Sequence, residues 1–523
     1  MVLYCWFTFH YASSAIHSDQ WTQVTLLVDH IQNTLTFGQL WAQHNQNRML
    51  IPQVINLLLG IVSRENSKTI IYFDLLLQVA SSVIIALGLS RIMRGRSYWL
   101  NLAIIFPLVL SLGSFQNITW AFQSAWYLIY LCIAICFTSL SFPESKRWTA
   151  VSLVSLTIAT FSSLQGLFLG PALVLVFLLA GRKQLAQIYG IASVILAIIY
   201  FWGLNFSETG GKGISFTHPL KMATYALVLV GSIFSSPQTT RFGDLLFELL
   251  GLALVVAGLI ALALAIRFVR KDLKILPGLL LIVYSLGTSA AITLGRWGFG
   301  PIQAMSSRYI LYTLLLPIGT LITFHLVALK VEKRQLIRIS QWGLVALLIC
   351  QIPLSISSGI ANEKIVHHQR HVVNAIVANY KTATRAQIIK YLYPLRPAKR
   401  LTIMKDMSIF HLGVFASPRY FYYRIEGPDA KVFNFNPLPL KGHGAKAPST
   451  AISTGLAIAS AVFYSSSNAR ALFPQSTTGH ICPLVGWLLS PATQGTSYSS
   501  VLVKNQSDLV ALSRYASCNS LGN

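Results

Sequence analysis

Apolar and polar positions fall into long blocks along the chain. Apolar runs lie near 1–17, 69–90, 98–115, 121–142, 149–163, 166–180, 187–204, 245–266, 276–295, 309–329 and 341–358. A helix needs roughly 20 apolar residues to cross the hydrocarbon core of a bilayer. These runs lack the period-two alternation of an outer-membrane barrel strand. The pattern therefore predicts a mainly α, polytopic helical membrane bundle of about eleven spans. The first run begins directly with apolar residues and has no basic leader, so it reads as a span rather than a cleaved signal peptide, although Ala12 to Ala15 offer small residues at its end. One further run, 223–236, is short for a span and reads as an interfacial or re-entrant helix.

Two regions exceed simple connectors. In the loop 18–68, Trp21, Val24, Leu27 and Val28 share one helical face and Leu50, Val54, Leu57, Leu58 and Ile61 another. Amphipathic helices of this kind suit a membrane surface or packing on the bundle equally. The tail, 360–523, opens with helical periodicity over 363–393. Short β-favouring runs then follow, 420–423 and 500–503, among Gly, Pro and Ser clusters. The expected organisation is a transmembrane domain, 1–359, and a small extracytoplasmic α+β or β-rich domain, 360–523.

Composition sharpens the class. Of 523 residues, 54% are apolar and 11% charged, and the mean hydropathy is +0.59, whereas soluble domains carry about 25% charged residues. An ordinary water-soluble enzyme and a disordered chain are both excluded. The net charge of +25 would suit nucleic acid, but its placement points to topology instead. Fifteen of the 23 Lys and Arg before residue 360 fall in five loop clusters: Arg91/Arg94/Arg96, Lys146/Arg147, Arg182/Lys183, Arg267/Arg270/Lys271/Lys274 and Lys330/Lys333/Arg334/Arg338. With these clusters cytoplasmic, every span alternates, the run 223–236 does not cross, and the tail lies outside. Membrane lipid, not nucleic acid, is the expected partner of the basic surface.

Few side chains remain for chemistry. Glu144, Asp272 and Glu332 sit inside basic clusters and read as solvated partners of those charges. Asp19 directly follows the first apolar run, where a carboxylate can take a proton from an attacking hydroxyl or bind a metal that does so; its plain structural alternative is capping the next helix. The string Trp41-Ala42-Gln43-His44-Asn45-Gln46-Asn47-Arg48 can bind a sugar, or a phosphate through Arg48, or can be a polar turn. Arg296 and Arg308 bracket an outer loop against the charge bias, which calls for an anionic partner or for snorkelling to lipid. Gln116-Asn117 and Trp120-Ala121-Phe122-Gln123 mix amides with aromatic faces, as carbohydrate sites do, though packing also explains Trp120 and Phe122. Asp74, within a span, and Glu248 are weaker candidates. No Walker motif or Cys/His zinc spacing is present, and Cys482 and Cys518 in the outer tail are able to pair.

An acidic residue after the first span, a long first outer loop and an outer C-terminal domain resemble the GT-C glycosyltransferases. More closely, the chain resembles a largely uncharacterised group of bacterial GT-C-like proteins. The matching pieces are Asp19 near Trp21, Trp41 followed by the string 44–48, Gln116-Asn117, Trp120-Ala121-Phe122-Gln123, and Ser306-Ser307-Arg308-Tyr309, within about residues 1–410. The resemblance implies a multi-pass protein of the bacterial cytoplasmic membrane. Its expected activity moves a sugar from a polyprenyl-phosphate donor to an extracytoplasmic glycan or lipid acceptor. Asp19 would be the catalytic base, and Arg308, Arg296 and Arg48 would bind the donor phosphate. His44, Asn45, Asn117, Trp120 and Gln123 would bind the sugar, with Asp74 and Tyr309 in secondary roles. No organic cofactor is implied, and a divalent metal requirement stays open. Gln46 and Asn47 replace a Glu and a His of the group's string, so a catalytically inactive assembly protein is one alternative, and a transporter or flippase of lipid-linked saccharide another.

Overall fold

The computed structural model describes residues 1–205, 218–331, 334–392, 397–415, 421–422 and 502–503. Met1–Asn374 with Ala386–Leu395 form one compact unit, and Ala375–Arg385 with Arg396–Asn523 a second. The first unit opens with α1 (Val2–Tyr11), α2 (Trp21–Ile31) and α3 (Phe37–Trp41). A short antiparallel hairpin then pairs Gln43 with Arg48 and His44 with Asn47, leading into α4 (Leu50–Ser63) and α5 (Ser67–Ile92). Next come α6 (Gly95–Val109), α7 (Phe115–Thr119), α8 (Ser124–Ser139), α9 (Lys146–Thr160), α10 (Leu164–Leu167), α11 (Leu169–Leu179), α12 (Lys183–Phe201), α13 (Pro219–Gly231) and α14 (Asp244–Phe268). The unit continues with α15 (Leu276–Arg296), α16 (Pro301–Ala304), α17 (Ile310–Thr313), α18 (Leu315–Ala328) and most of α19 (Arg334–Ala378).

Among the described residues, eight helices are long and apolar enough to cross a membrane: Ser67–Ile92, Gly95–Thr119, Ala121–Ser139, Lys183–Phe201, Asp244–Phe268, Leu273–Phe299, Ser307–Ala328 and Arg338–Ala378. Membrane character thus holds, but the expected count of eleven does not. The first run yields only the 10 residues of α1, the fifth the 15 of α9, and the sixth breaks into α10 and α11. At 1.5 Å per residue, 15 residues reach about 22 Å, short of a hydrocarbon core of about 30 Å. Apolar composition alone did not reveal where these helices stop.

Burial ranks the spans. The apolar window of Ser307–Ala328 is 94% buried, against 17% for Lys183–Phe201, so α18 is central and α12 peripheral. Ile191, Val194, Ile195 and Ile198 of α12 stay exposed, a face suited to lipid rather than water. The segment 223–236 lies in α13 and the turn after it. It packs tightly on α14: a Cβ at Gly251 would sit 1.9 Å from the Leu227 carbonyl oxygen, and one at Gly231 2.0 Å from that of Phe247. Small residues allow such close crossing. Gly251→Leu is expected to separate α13 from α14 and to replace the monodisperse peak with aggregate in size-exclusion chromatography; an unchanged profile would contradict this packing.

The basic clusters gather at one end of the helices. Arg182 pairs with Glu144 at 3.0 Å and Lys330 with Asp272 at 3.1 Å, while Arg270 Nε donates to the Leu179 carbonyl and Arg91 stacks on Phe142. Glu332 lies outside the described residues. α5 ends at this basic side and begins about 39 Å away, beside the loop 18–68.

The boundary expected at 360 is not a break, because α19 runs through it to Ala378. The second unit contributes α20 (Pro397–Ile409) and one antiparallel pair, Phe421–Tyr422 with Leu502–Val503. The rest of the expected β-rich domain, with Cys482 and Cys518, lies outside the described residues.

Candidate functional site

The turn that carries Asp19 is fixed by its neighbours rather than by its own carboxylate. Ser18–Gln20 form one 3-10 turn, entered through a left-handed Ser18 with φ of 50°. Gln20 is fully buried: its Oε1 accepts from the His17 backbone N–H, and its Nε2 donates to Ser67 Oγ at 2.6 Å. The Trp120 indole donates to the His17 carbonyl at 3.1 Å, with the two rings edge to face. No side chain caps α2, so the capping role open to Ser18 or Asp19 is not used.

Behind this turn lies Glu65, 1% exposed in the turn just before α5. Burial pushes its carboxyl up to about 7, against a hydrogen bond with Gln20. A raised acid contributes stability that is full below its ordinary value of 4.5 and is lost as pH rises through about 7. Glu65→Gln is therefore expected to raise the melting temperature at pH 8, where the ionised carboxylate costs on the order of 3 kcal/mol, and to do little at pH 5. Equal shifts at both pH values would refute the buried-acid assignment.

The hairpin presents His44. Its ring packs on Phe122 at 5.1 Å, and Nε2 lies 3.7 Å from Asp19 Oδ2, beyond hydrogen-bond length. Asn47 anchors the hairpin by accepting from Ser163 Oγ at 2.8 Å and the Leu164 N–H at 3.0 Å. Tyr200 bridges the Gln46 carbonyl and the Arg48 N–H.

Arg48 departs from its expected role. It is 4% exposed, does not line the cleft described below, stacks on Trp41, and donates to the carbonyls of Trp41 and Trp202, each at 2.6 Å. Its donors are committed to backbone, which makes it a strut between the hairpin and the end of α12.

Arg308 is set by a second network. Asn117 Nδ2 donates to its carbonyl at 3.0 Å, Ser306 Oγ donates to Gln116 Oε1, and the Gln116 N–H donates to Ser307 Oγ. Two strings almost 200 positions apart thus meet directly. The guanidinium lies over Tyr309 at 5.3 Å, and its buried Nε has no hydrogen-bond partner. Asn117 is fully buried and does not line the cleft; its observed bond holds the Arg308 backbone.

These pieces surround one cleft that opens to the outside and has a cavity volume of about 100 Å³. Asp19, His44, Asn45, Trp120, Gln123, Arg296, Arg308 and Tyr309 all line it, while Asp74 is buried elsewhere in α5. Burial alone would raise the Asp19 carboxyl, but His44, then Arg308 and His17, outweigh it and hold the group below its ordinary value. Burial, aided by Arg370, pushes His17 down to about 4, so that ring is neutral near pH 7. Among the described residues no Arg–Asp19 pair closes within 4.0 Å. Two guanidinium groups therefore face the cleft against one carboxylate, a balance that favours an anion.

Sequence reasoning missed part of the wall. Ser163, Gln165 and Phe168 line the cleft; the polar break Ser162-Ser163-Leu164-Gln165 inside an apolar run was their signal. It also missed a buried ion pair, Glu363 with Arg370 at 2.5 Å, which both bond Thr119 next to Trp120. Opposite charges seven residues apart on one helix face were the clue. Among the described residues no group of three or more His, Cys, Asp or Glu is placed to hold a metal. No family model, curated protein or solved structure matches the chain.

Proposed function

We propose that the protein is a membrane glycosyltransferase that moves a sugar from a polyprenyl-phosphate donor to a glycan or lipid acceptor outside the cytoplasm of a bacterial cell. The observation that carries this reading is the cleft in which Asp19, His44, Arg296 and Arg308 converge at the end of the bundle away from the basic clusters. Asp19, ionised at neutral pH, accepts the proton of the acceptor hydroxyl as its oxygen attacks the anomeric carbon. The bond from that carbon to the phosphate oxygen breaks, and the leaving phosphate gathers negative charge. Arg308 and Arg296, fixed at a partly dry wall, stabilise that charge. Trp120 and Phe122 offer a flat apolar surface to a sugar face, while the unpartnered Gln123 Oε1 and the His44 ring are available to its hydroxyls.

A second reading has one observation in its favour. Asp74 lies in a membrane-length helix, is 1% exposed, and sits in electrostatic range of Tyr4 and Tyr127, as a coupling carboxylate in a flippase would. Purified protein in liposomes with labelled polyprenyl-phosphate sugars and a mixed acceptor pool separates the two. Label in a new glycoside supports the transferase; label crossing the bilayer without transfer supports the flippase.

A further inference from the structure

Beyond the apolar stretch of α19 that ends near Ile360, the helix carries His367, His368 and His371. Positions four apart share a face, and a neighbour is turned away by about 100°. His367 Nε2 and His371 Nε2 lie 3.0 Å apart, with ring centroids 4.6 Å apart and the planes at 85°. His367 Nδ1 lies 3.3 Å from the Tyr11 carbonyl oxygen. A carbonyl only accepts, so Nδ1 carries the proton of that bond, and Nε2 is left with its lone pair. The two facing nitrogens then share at most one proton, which a metal ion can displace.

We propose that His367 and His371 form a site for a divalent transition-metal ion, separate from the cleft. With metal–nitrogen bonds of about 2.0–2.1 Å, a 3.0 Å nitrogen separation subtends about 94° at the ion. That angle fits adjacent positions of a tetragonal or octahedral ion and is narrow for a tetrahedral one. Cu²⁺ and Ni²⁺ are therefore preferred over Zn²⁺, in the order imidazole ligands already favour. The Tyr11 carbonyl supplies the outer-shell hydrogen bond that orients a metal-binding imidazole. Arg370 lies within electrostatic range of His367, but the residue is 3% exposed and its guanidinium is turned inward onto the Glu363 carboxylate, which offsets its repulsion of a cation. His371 is exposed, so water completes the coordination. Through His367 and Tyr11, a bound ion would tie α19 to the end of α1.

The test uses tag-free, full-length protein in detergent. Cu²⁺ titration followed by electron paramagnetic resonance is expected to give one bound equivalent with two-nitrogen splitting. Calorimetry with Ni²⁺ should show binding that His371→Ala weakens about 100-fold, since it removes an intramolecular second ligand, and that His368→Ala leaves intact. Ni²⁺ should raise the melting temperature of the parent and not of the His371→Ala protein. Because His371 is exposed, its loss leaves the fold in place. Absence of a bound Cu²⁺ equivalent, or equal affinity in His371→Ala and parent, would overturn the proposal.

Discussion

Asp19→Asn protein is expected to express, fold and bind donor as the parent does, and to lose sugar transfer by about 10²–10⁴-fold, the range of a positioned base. Asparagine keeps the shape of the side chain, and no hydrogen bond of the 3-10 turn depends on the carboxylate. Loss of rate without loss of fold is thus the specific outcome. The pH dependence follows in sign. The working form is ionised, and His44, Arg308 and His17 hold the carboxyl low despite burial. Transfer should therefore stay level through neutral pH and fall only once pH drops below the ordinary carboxylate range. His44→Ala removes the nearest of these influences, so its acid limb should move up. An Asp19→Asn protein with parental turnover would remove Asp19 from the base role.

Arg308→Ala should lower transfer by about 10²–10³-fold, the usual cost of losing one fixed donor to a developing anion. Arg308→Lys should restore little of it. An ammonium is a point charge without the planar fork that suits a phosphate, and the stacking on Tyr309 would go with the guanidinium. Arg48→Ala supplies the contrast: with its donors on backbone carbonyls, it should reduce stability while folded protein keeps its rate. A larger rate defect in Arg48→Ala than in Arg308→Ala would reverse the assignment of the two arginines.

The sequence exposed what depends on local pattern and hid what depends on distant contact. Apolar runs located α5, α12, α14, α15 and α18, since any helix in lipid must be apolar along its length. They overcounted spans because the runs holding α1, α9 and α11 are apolar too, yet these helices stop after 10, 15 and 11 residues. Asp19, His44, Arg296 and Arg308 were visible as costly polar groups beside apolar runs. Arg48 looked the same, yet one of its partners, Trp202, is 154 residues away, and no local signal separates a strut from a ligand. Asn117 was read as a sugar contact for a similar reason: its bond to Arg308 spans 191 positions. Glu363 and Arg370 were set apart with the tail, although α19 returns them to Thr119 beside the cleft wall.

A density map of the protein bound to a polyprenyl monophosphate bears most directly on the whole reading. The phosphate should lie between the Arg308 and Arg296 guanidiniums, with the Asp19 carboxylate across the cleft and the prenyl chain leaving along an apolar helix face. A headgroup seated at the opposite, basic end of the bundle, with the cleft unoccupied, would contradict it.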